Sequence, residues 1–360
     1  MANYRRIMAA AFLAVMTLSN GHVVQAQTAT KSNFQQAMDA YAAKNFVLAR
    51  QKFNQACAAE NNAGACVNLG IMYENGEGGA KDDVAARAVS QKSCDLNQAQ
   101  GCFNTGIFYE RGKGGPKDEA AARGVFKKSC DMNYSQSCNN LASLYLDGRG
   151  GTKDAVLARG LYKRSCDFND AFGCSNLGKL HYTGEGGVKD LVAARSLTKK
   201  ACDLGKGDTC KDYGYLLQAG EGGAIDLVGA RSYYEKGCNL NSSSSCRNLA
   251  VLQEDAQGGA KDLPAARRTY KKSCDLGELV GCHGYAVMVT MGNGGPKNQQ
   301  EALGYFQKGC AANVGLSCHS MGVVYQNGEG VAVSRAEANI YFRKGCDLGY
   351  AASCKAIGAK

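Results

Sequence analysis

The chain has 360 residues, 45% of them hydrophobic and 21% charged, enough apolar surface to bury a core and too much for a disordered tail. Its 46 Gly, 18 Cys and 3 Pro, with no Trp, do not suit two or three ordinary globular domains and point to a short repeated unit. A formal charge of +10 permits an acidic partner without naming one.

At the start, Arg5 and Arg6 precede a twelve-residue apolar run, Ile7 to Leu18, and Val24-Gln25-Ala26 is a small-residue cleavage site. Together these read as a secretory signal peptide over residues 1–26, the run being too short to span a bilayer as an anchor. Cleavage near Ala26 leaves a chain of charge +8 that begins at Gln27, lies outside the cytoplasm and is free to form disulfides. No later stretch is long and apolar enough to span.

A first helical hairpin is expected over Phe34 to Ala59. From Cys94 onward a cysteine recurs every 36 residues with a second one eight later, and Cys57 and Cys66 precede them with one residue more between them. Only one pairing treats all units alike and spans a short distance. It joins Cys57–Cys66, Cys94–Cys102, Cys130–Cys138, Cys166–Cys174, Cys202–Cys210, Cys238–Cys246, Cys274–Cys282, Cys310–Cys318 and Cys346–Cys354.

Between cysteines the unit carries two helical patterns. Cys66, Leu69, Gly70 and Tyr73 follow i, i+3, i+4 and i+7, and Ala122, Val125, Phe126, Ser129 and Cys130 extend the same spacing through a second helix. The run GxGG between them, for example Gly112, Gly114 and Gly115, suits the left-handed residue that ends a helix. Asp82, Asp118, Asp154, Asp190, Asp226, Asp262, Asn298 and Ser334 then supply the cap of each second helix. A hairpin with one apolar face must stack on others, so the expected class is all-α, an α-solenoid of antiparallel helix pairs in a right-handed superhelix. One solenoid domain over residues 27–360, about nine hairpins with a partial capping helix over Ala351 to Ala359, accounts for the chain.

The pattern C-x-N-L-G-x-x-Y-x-x-G-x-G-G-x-K-D-x-x-A-A-R-x-x-x-K-K-S-C-D-L resembles the Sel-one-like repeat, a relative of the tetratricopeptide repeat. The paired cysteines resemble the Helicobacter cysteine-rich protein subfamily, secreted by Gram-negative bacteria. The resemblance runs from about residue 31 to the end and departs late, where Val331, Val333 and Asn339 replace Gly, Lys and Arg. It implies a binding scaffold for a protein or extended peptide of host or envelope, peptidoglycan-like ligands included, in the periplasm or outside the cell. It also implies, in some members, slow β-lactamase activity or penicillin binding.

For that chemistry the chain offers one Ser-x-x-Lys, Ser196 to Lys199, one Ser-x-Asn, Ser137 to Asn139, whose middle residue is one of the paired cysteines, and no Lys-Thr-Gly. One such tetrad is expected by accident in a chain rich in both residues. No cofactor is implied. Metal binding is disfavoured by the seven-residue cysteine spacing and by only three histidines after the leader, His181, His283 and His319. The Lys-Lys and Lys-Arg pairs before the cysteines read as a solvated helix face rather than a nucleic-acid stripe. The informative positions are those one, five and eight after each second cysteine, expected to face the concave groove. They run from Phe103 through a cationic and aromatic patch of Lys179, Tyr182, Lys211, Tyr215 and Arg247 to His283 and His319. Arg, Tyr and Phe are common binding anchors, so these eight are the candidate partner-binding residues, to be weighed against an ordinary solvated groove.

Overall fold

A computed structural model describes residues 31–358, and the expected leader over 1–26 lies outside them. Helices α1 (Asn33–Ala42) and α2 (Phe46–Ala59) form the first hairpin. Eight more follow: α3 (Ala63–Asn75) with α4 (Asp83–Asp95), α5 (Ala99–Arg111) with α6 (Glu119–Asp131), α7 (Ser135–Asp147) with α8 (Ala155–Asp167), and α9 (Ala171–Thr183) with α10 (Leu191–Asp203). Next come α11 (Gly207–Ala219) with α12 (Leu227–Asn239), α13 (Ser243–Glu254) with α14 (Leu263–Asp275), α15 (Leu279–Met291) with α16 (Gln299–Ala311), and α17 (Gly315–Asn327) with α18 (Arg335–Asp347). A short α19 (Ala351–Ala356) covers the last hairpin. The described residues are all helix and turn, and each helix packs on its chain neighbours to make a solenoid.

Local chemistry sets the helix ends. At all nine second-helix starts the Asp, Asn or Ser side chain accepts a hydrogen bond from the backbone N–H three residues on, for example Asp118 from Ala121. Seven first helices end on a left-handed glycine, and the eighth, α13, departs: Ala256 takes that conformation at φ 61°. Between the cysteines of each pair an Asn or Gly is left-handed, as Asn97 and Gly205 are, so the chain turns sharply from one hairpin into the next. All nine disulfides join the end of a second helix to the start of the following first helix, in the pairing expected. Closing so short a loop is worth about 2.5 kcal/mol per bridge in the chain-entropy model.

Three further contacts recur at the joints. The middle glycine of the GxGG loop lies against the first turn of the preceding second helix: a Cβ on Gly114 would fall on the Asp83 carbonyl oxygen, and one on Gly150 on that of Glu119. An arginine of that same preceding helix reaches the loop, Arg87 donating to Pro116 O at 3.2 Å and Arg195 to Ala224 O at 3.0 Å. Arg50, Arg87 and Arg123 also lie over Tyr73, Tyr109 and Tyr145, 4.1 to 4.3 Å from the ring centres. The third contact revises the reading of the lysine pairs. The first lysine is solvated and pairs with an aspartate four residues on, as Lys127 does with Asp131. In several repeats the second reaches back to the preceding second helix, Lys128 and Lys200 donating at 2.8 Å to the carbonyl oxygens of Cys94 and Cys166.

Successive first helices touch one another, α7 with α9 and α11 with α13, which places them on the inner side of the superhelix. The core is a row of clusters along the stack. Its largest members are the aromatic residues of the second helices: Phe53, Phe126, Tyr162, Tyr234, Tyr270, Phe306 and Phe342, all buried.

Two substitutions test this geometry with opposite signs. Ala256→Gly removes the cost of a left-handed alanine and is expected to stabilise by about 1 kcal/mol in urea unfolding under oxidising conditions. Gly150→Ala puts a methyl group on the Glu119 carbonyl and is expected to cost 2 kcal/mol or more, roughly, through overpacking and backbone strain.

Candidate functional site

The concave wall is broken by a cavity of about 450 Å³ between α9, α10 and α11. Lys179, Tyr182, Thr198, Asp212 and Tyr215 line it, with Ser175 and Thr209 beside them. Of the eight groove residues expected from sequence, Lys179, Tyr182 and Tyr215 come together here. Tyr215 is half exposed, at 51%. Lys179 is exposed and has no ion-pair partner among the described residues. The Glu221 carboxylate near Tyr182 pushes the phenol pKa up.

The remaining five are placed elsewhere. Lys211 pairs with Asp212 at 2.9 Å and so touches the site only through it. Arg247 is half-buried one repeat further on, its Nε sealed without a partner. Phe103 packs in its own joint, 5.2 Å from Tyr134 and 6.0 Å from Phe126 between ring centres. His283, expected in the open groove, is only 8% exposed, against Phe306 at 5.3 Å and with Nδ1 3.5 Å from Ser317 Oγ. It is a joint residue, because its ring fills the place that Phe103 fills in its own unit. His319 repeats the arrangement half-exposed, with Nδ1 3.1 Å from Ser353 Oγ and its ring between Phe342 and Tyr350.

Several residues of the site were not singled out by the sequence reading. Lys206, in the turn between Cys202 and Cys210, donates to Ser175 Oγ at 2.9 Å and lies over Phe172, and burial pushes its pKa down. Asp212 stands where Asn68, Asn104, Asn140, Asn176 and Asn248 stand in other repeats. Thr198 stands where seven other second helices carry Phe or Tyr, and its Oγ1 turns back to Ala194 O at 2.6 Å. The signal in the sequence is a break in period on a second helix, at a position that otherwise builds the core.

The Ser196 and Lys199 pair is not arranged for catalysis. Both are exposed on α10, and Lys199 pairs with Asp203 at 2.7 Å beside the Tyr233 ring. Asp203 raises the Lys199 pKa, whereas a lysine that deprotonates a serine needs it lowered. Among the described residues no cluster of His, Cys, Asp and Glu has the arrangement of a metal site, and no helix is long and apolar enough to cross a membrane.

A family model described as the Sel1 repeat matches residues 63–98, 99–134, 135–167, 171–206, 208–242, 243–278, 280–314 and 315–350. No curated protein matches the chain. Among solved structures, a protective antigen present in uropathogenic Escherichia coli strains, described as displaying an SLR fold, is 22% identical. The match covers 91% of this chain and 73% of that one at a TM-score of 0.72. A Sel1 repeat protein from Oxalobacter formigenes is 23% identical over 67% of this chain and 99% of its own, at a TM-score of 0.61. The Helicobacter pylori cysteine rich protein B is 30% identical over 35% of this chain and 90% of its own, at a TM-score of 0.30.

Burial pushes the His283 pKa down to about 4, with the charge of His319 adding to the effect, and burial lowers His319 as well. An imidazole kept neutral in the fold is protonated first in the unfolded chain. Its contribution is therefore present above pH 6.5 and lost as pH falls toward 4, by up to about 3 kcal/mol for His283. His283→Phe, the residue found at Phe103, is expected to flatten that part of a stability profile measured by urea unfolding between pH 7 and 4.

Proposed function

Because the chain belongs to the Sel1 repeat family, we propose that it is a disulfide-stapled binding scaffold that holds an extended peptide or protein segment in its concave groove. The supporting observation is the 450 Å³ cavity in the inner wall, where Lys179, Tyr182 and Tyr215 converge on a rigid frame of helices. Aromatic side chains beside a desolvated pocket are the usual anchors of protein recognition, and preorganised helices lower the ordering cost of binding. Nine disulfides fit an oxidising, extracytoplasmic compartment. Within that compartment the reading is of a secreted or periplasmic protein, released by cleavage near Ala26 and directed at a host or envelope partner.

The test uses the full oxidised protein, immobilised and panned against a displayed library of random dodecapeptides. Wild type is expected to retain peptides that the Lys179→Glu/Tyr215→Ala variant binds at least tenfold more weakly, with both proteins melting alike. Retention of the same peptides by both, or of none by either, would remove the groove from consideration.

A further inference from the structure

We infer that the cavity is a seat for an aromatic side chain of the bound peptide, with a carboxylate beside that ring meeting Lys179. The inference rests on the groove being a peptide site and adds which residue fills it.

The argument starts from the repeat itself. In three other hairpins the second-helix ring lies on a glycine of the first helix. A Cβ on Gly106, Gly214 or Gly322 would collide with the ring of Phe126, Tyr234 or Phe342. Gly178 holds the same place on α9, so the wall is hollowed for a ring there too. The ring is missing. Thr198 stands in its place, its Oγ1 is 3.0 Å from where a Gly178 Cβ would sit, and its hydroxyl is turned into its own helix. The only other second helix with a small residue at this position is α4, where Ser90 is sealed at 1% exposure. At Thr198 the volume opens instead to the groove, between the Tyr182 and Tyr215 rings.

An empty apolar seat loses the dispersion contacts that a ring makes in the other repeats, and a ligand ring restores them. Edge or offset contact with the two tyrosines favours an aromatic guest over an aliphatic one of equal volume. Charge completes the assignment. Of the charged residues that line the cavity, Asp212 already has Lys211 at 2.9 Å, whereas Lys179 has no ion-pair partner among the described residues. The unspent charge in the wall is positive, so the guest brings a carboxylate. Breaks in period at 179, 198, 212 and 215 thus fall in one repeat pair and face one space.

The experiment compares wild type with Thr198→Phe and Thr198→Val in the dodecapeptide panning, then titrates the best synthetic peptide and its aromatic-to-alanine counterpart. The expected result is enrichment of Phe or Tyr next to Asp or Glu and a tenfold or greater loss for the alanine peptide. Binding should fall tenfold or more in Thr198→Phe, which supplies its own ring and should melt at or above wild type, and persist in Thr198→Val. Peptides lost with Lys179→Glu/Tyr215→Ala but free of aromatic enrichment, and bound equally by Thr198→Phe, would overturn the seat while leaving the groove as a binding site. Peptides indifferent to all these changes would overturn both. Should Thr198→Phe fail to fold, the alanine peptide decides by itself, equal affinity of the two peptides counting against the seat.

Discussion

The close approach of each glycine loop to the first turn of the preceding second helix sets the spacing of the whole stack. A side chain at Gly114 or Gly150 would occupy the same space as a neighbouring carbonyl oxygen, so the distance between hairpins is fixed by backbone against backbone. The other joint contacts depend on that spacing. Arg87 and Arg195 reach the loop carbonyls only because the loop lies over their helix, and Lys128 and Lys200 reach the last carbonyls of the previous one for the same reason. The disulfide adds a covalent limit on how far the next first helix can swing. Each joint is therefore restrained at both ends of its second helix, by the loop near the start and near the end by cystine, to which lysine adds in several repeats.

Complementary changes inside the chain show which of these contacts are paired. The residue before the first cysteine meets the residue before the second. Where Ser93, Ser165 and Ser273 stand on one side, Gly101, Gly173 and Gly281 face them; where Gly237, Gly309 and Gly345 stand there, Ser245, Ser317 and Ser353 take the other side. At these six joints one hydroxyl sits beside the disulfide, whichever helix brings it, and at the joint of Cys130 and Cys138 there are two, Ser137 donating to Ser129 at 2.6 Å. The arginine joint behaves alike. The guanidinium of Arg267 occupies the place of a Cβ on Gly295, but one repeat later Leu303 replaces the arginine and Val331 the glycine, both packed on the terminal core cluster. The late departure from the repeat pattern at Val331 is thus a substitution of one joint chemistry by another.

What the sequence makes legible is what recurs. Thirty-six-residue spacing, caps and left-handed glycines each state a local requirement at a fixed position, and together they specify helices, turns and disulfides. Side-chain reach across a joint leaves no such mark. Nothing in Lys128 alone distinguishes a solvated lysine from one bound to a carbonyl 34 residues earlier, and nothing in His283 distinguishes an open groove from a joint. In the candidate site, Lys179, Tyr182 and Tyr215 were visible because they vary on a face already expected to line the groove. Thr198 was not, because a missing ring is an absence on a helix otherwise devoted to the core.

Function in such a frame comes from where repetition is broken rather than from the repeat. A solenoid whose joints are fixed by backbone contact, ion pairs and disulfides presents a groove that does not reorganise to meet a ligand, so little ordering entropy is lost on the protein side. A defect in its wall is then also rigid. Filling the seat at Thr198 with the chain's own ring would suit stability, as it does in seven other second helices. Leaving it empty forgoes those contacts in the free protein, and on the proposed reading a peptide ring would restore them.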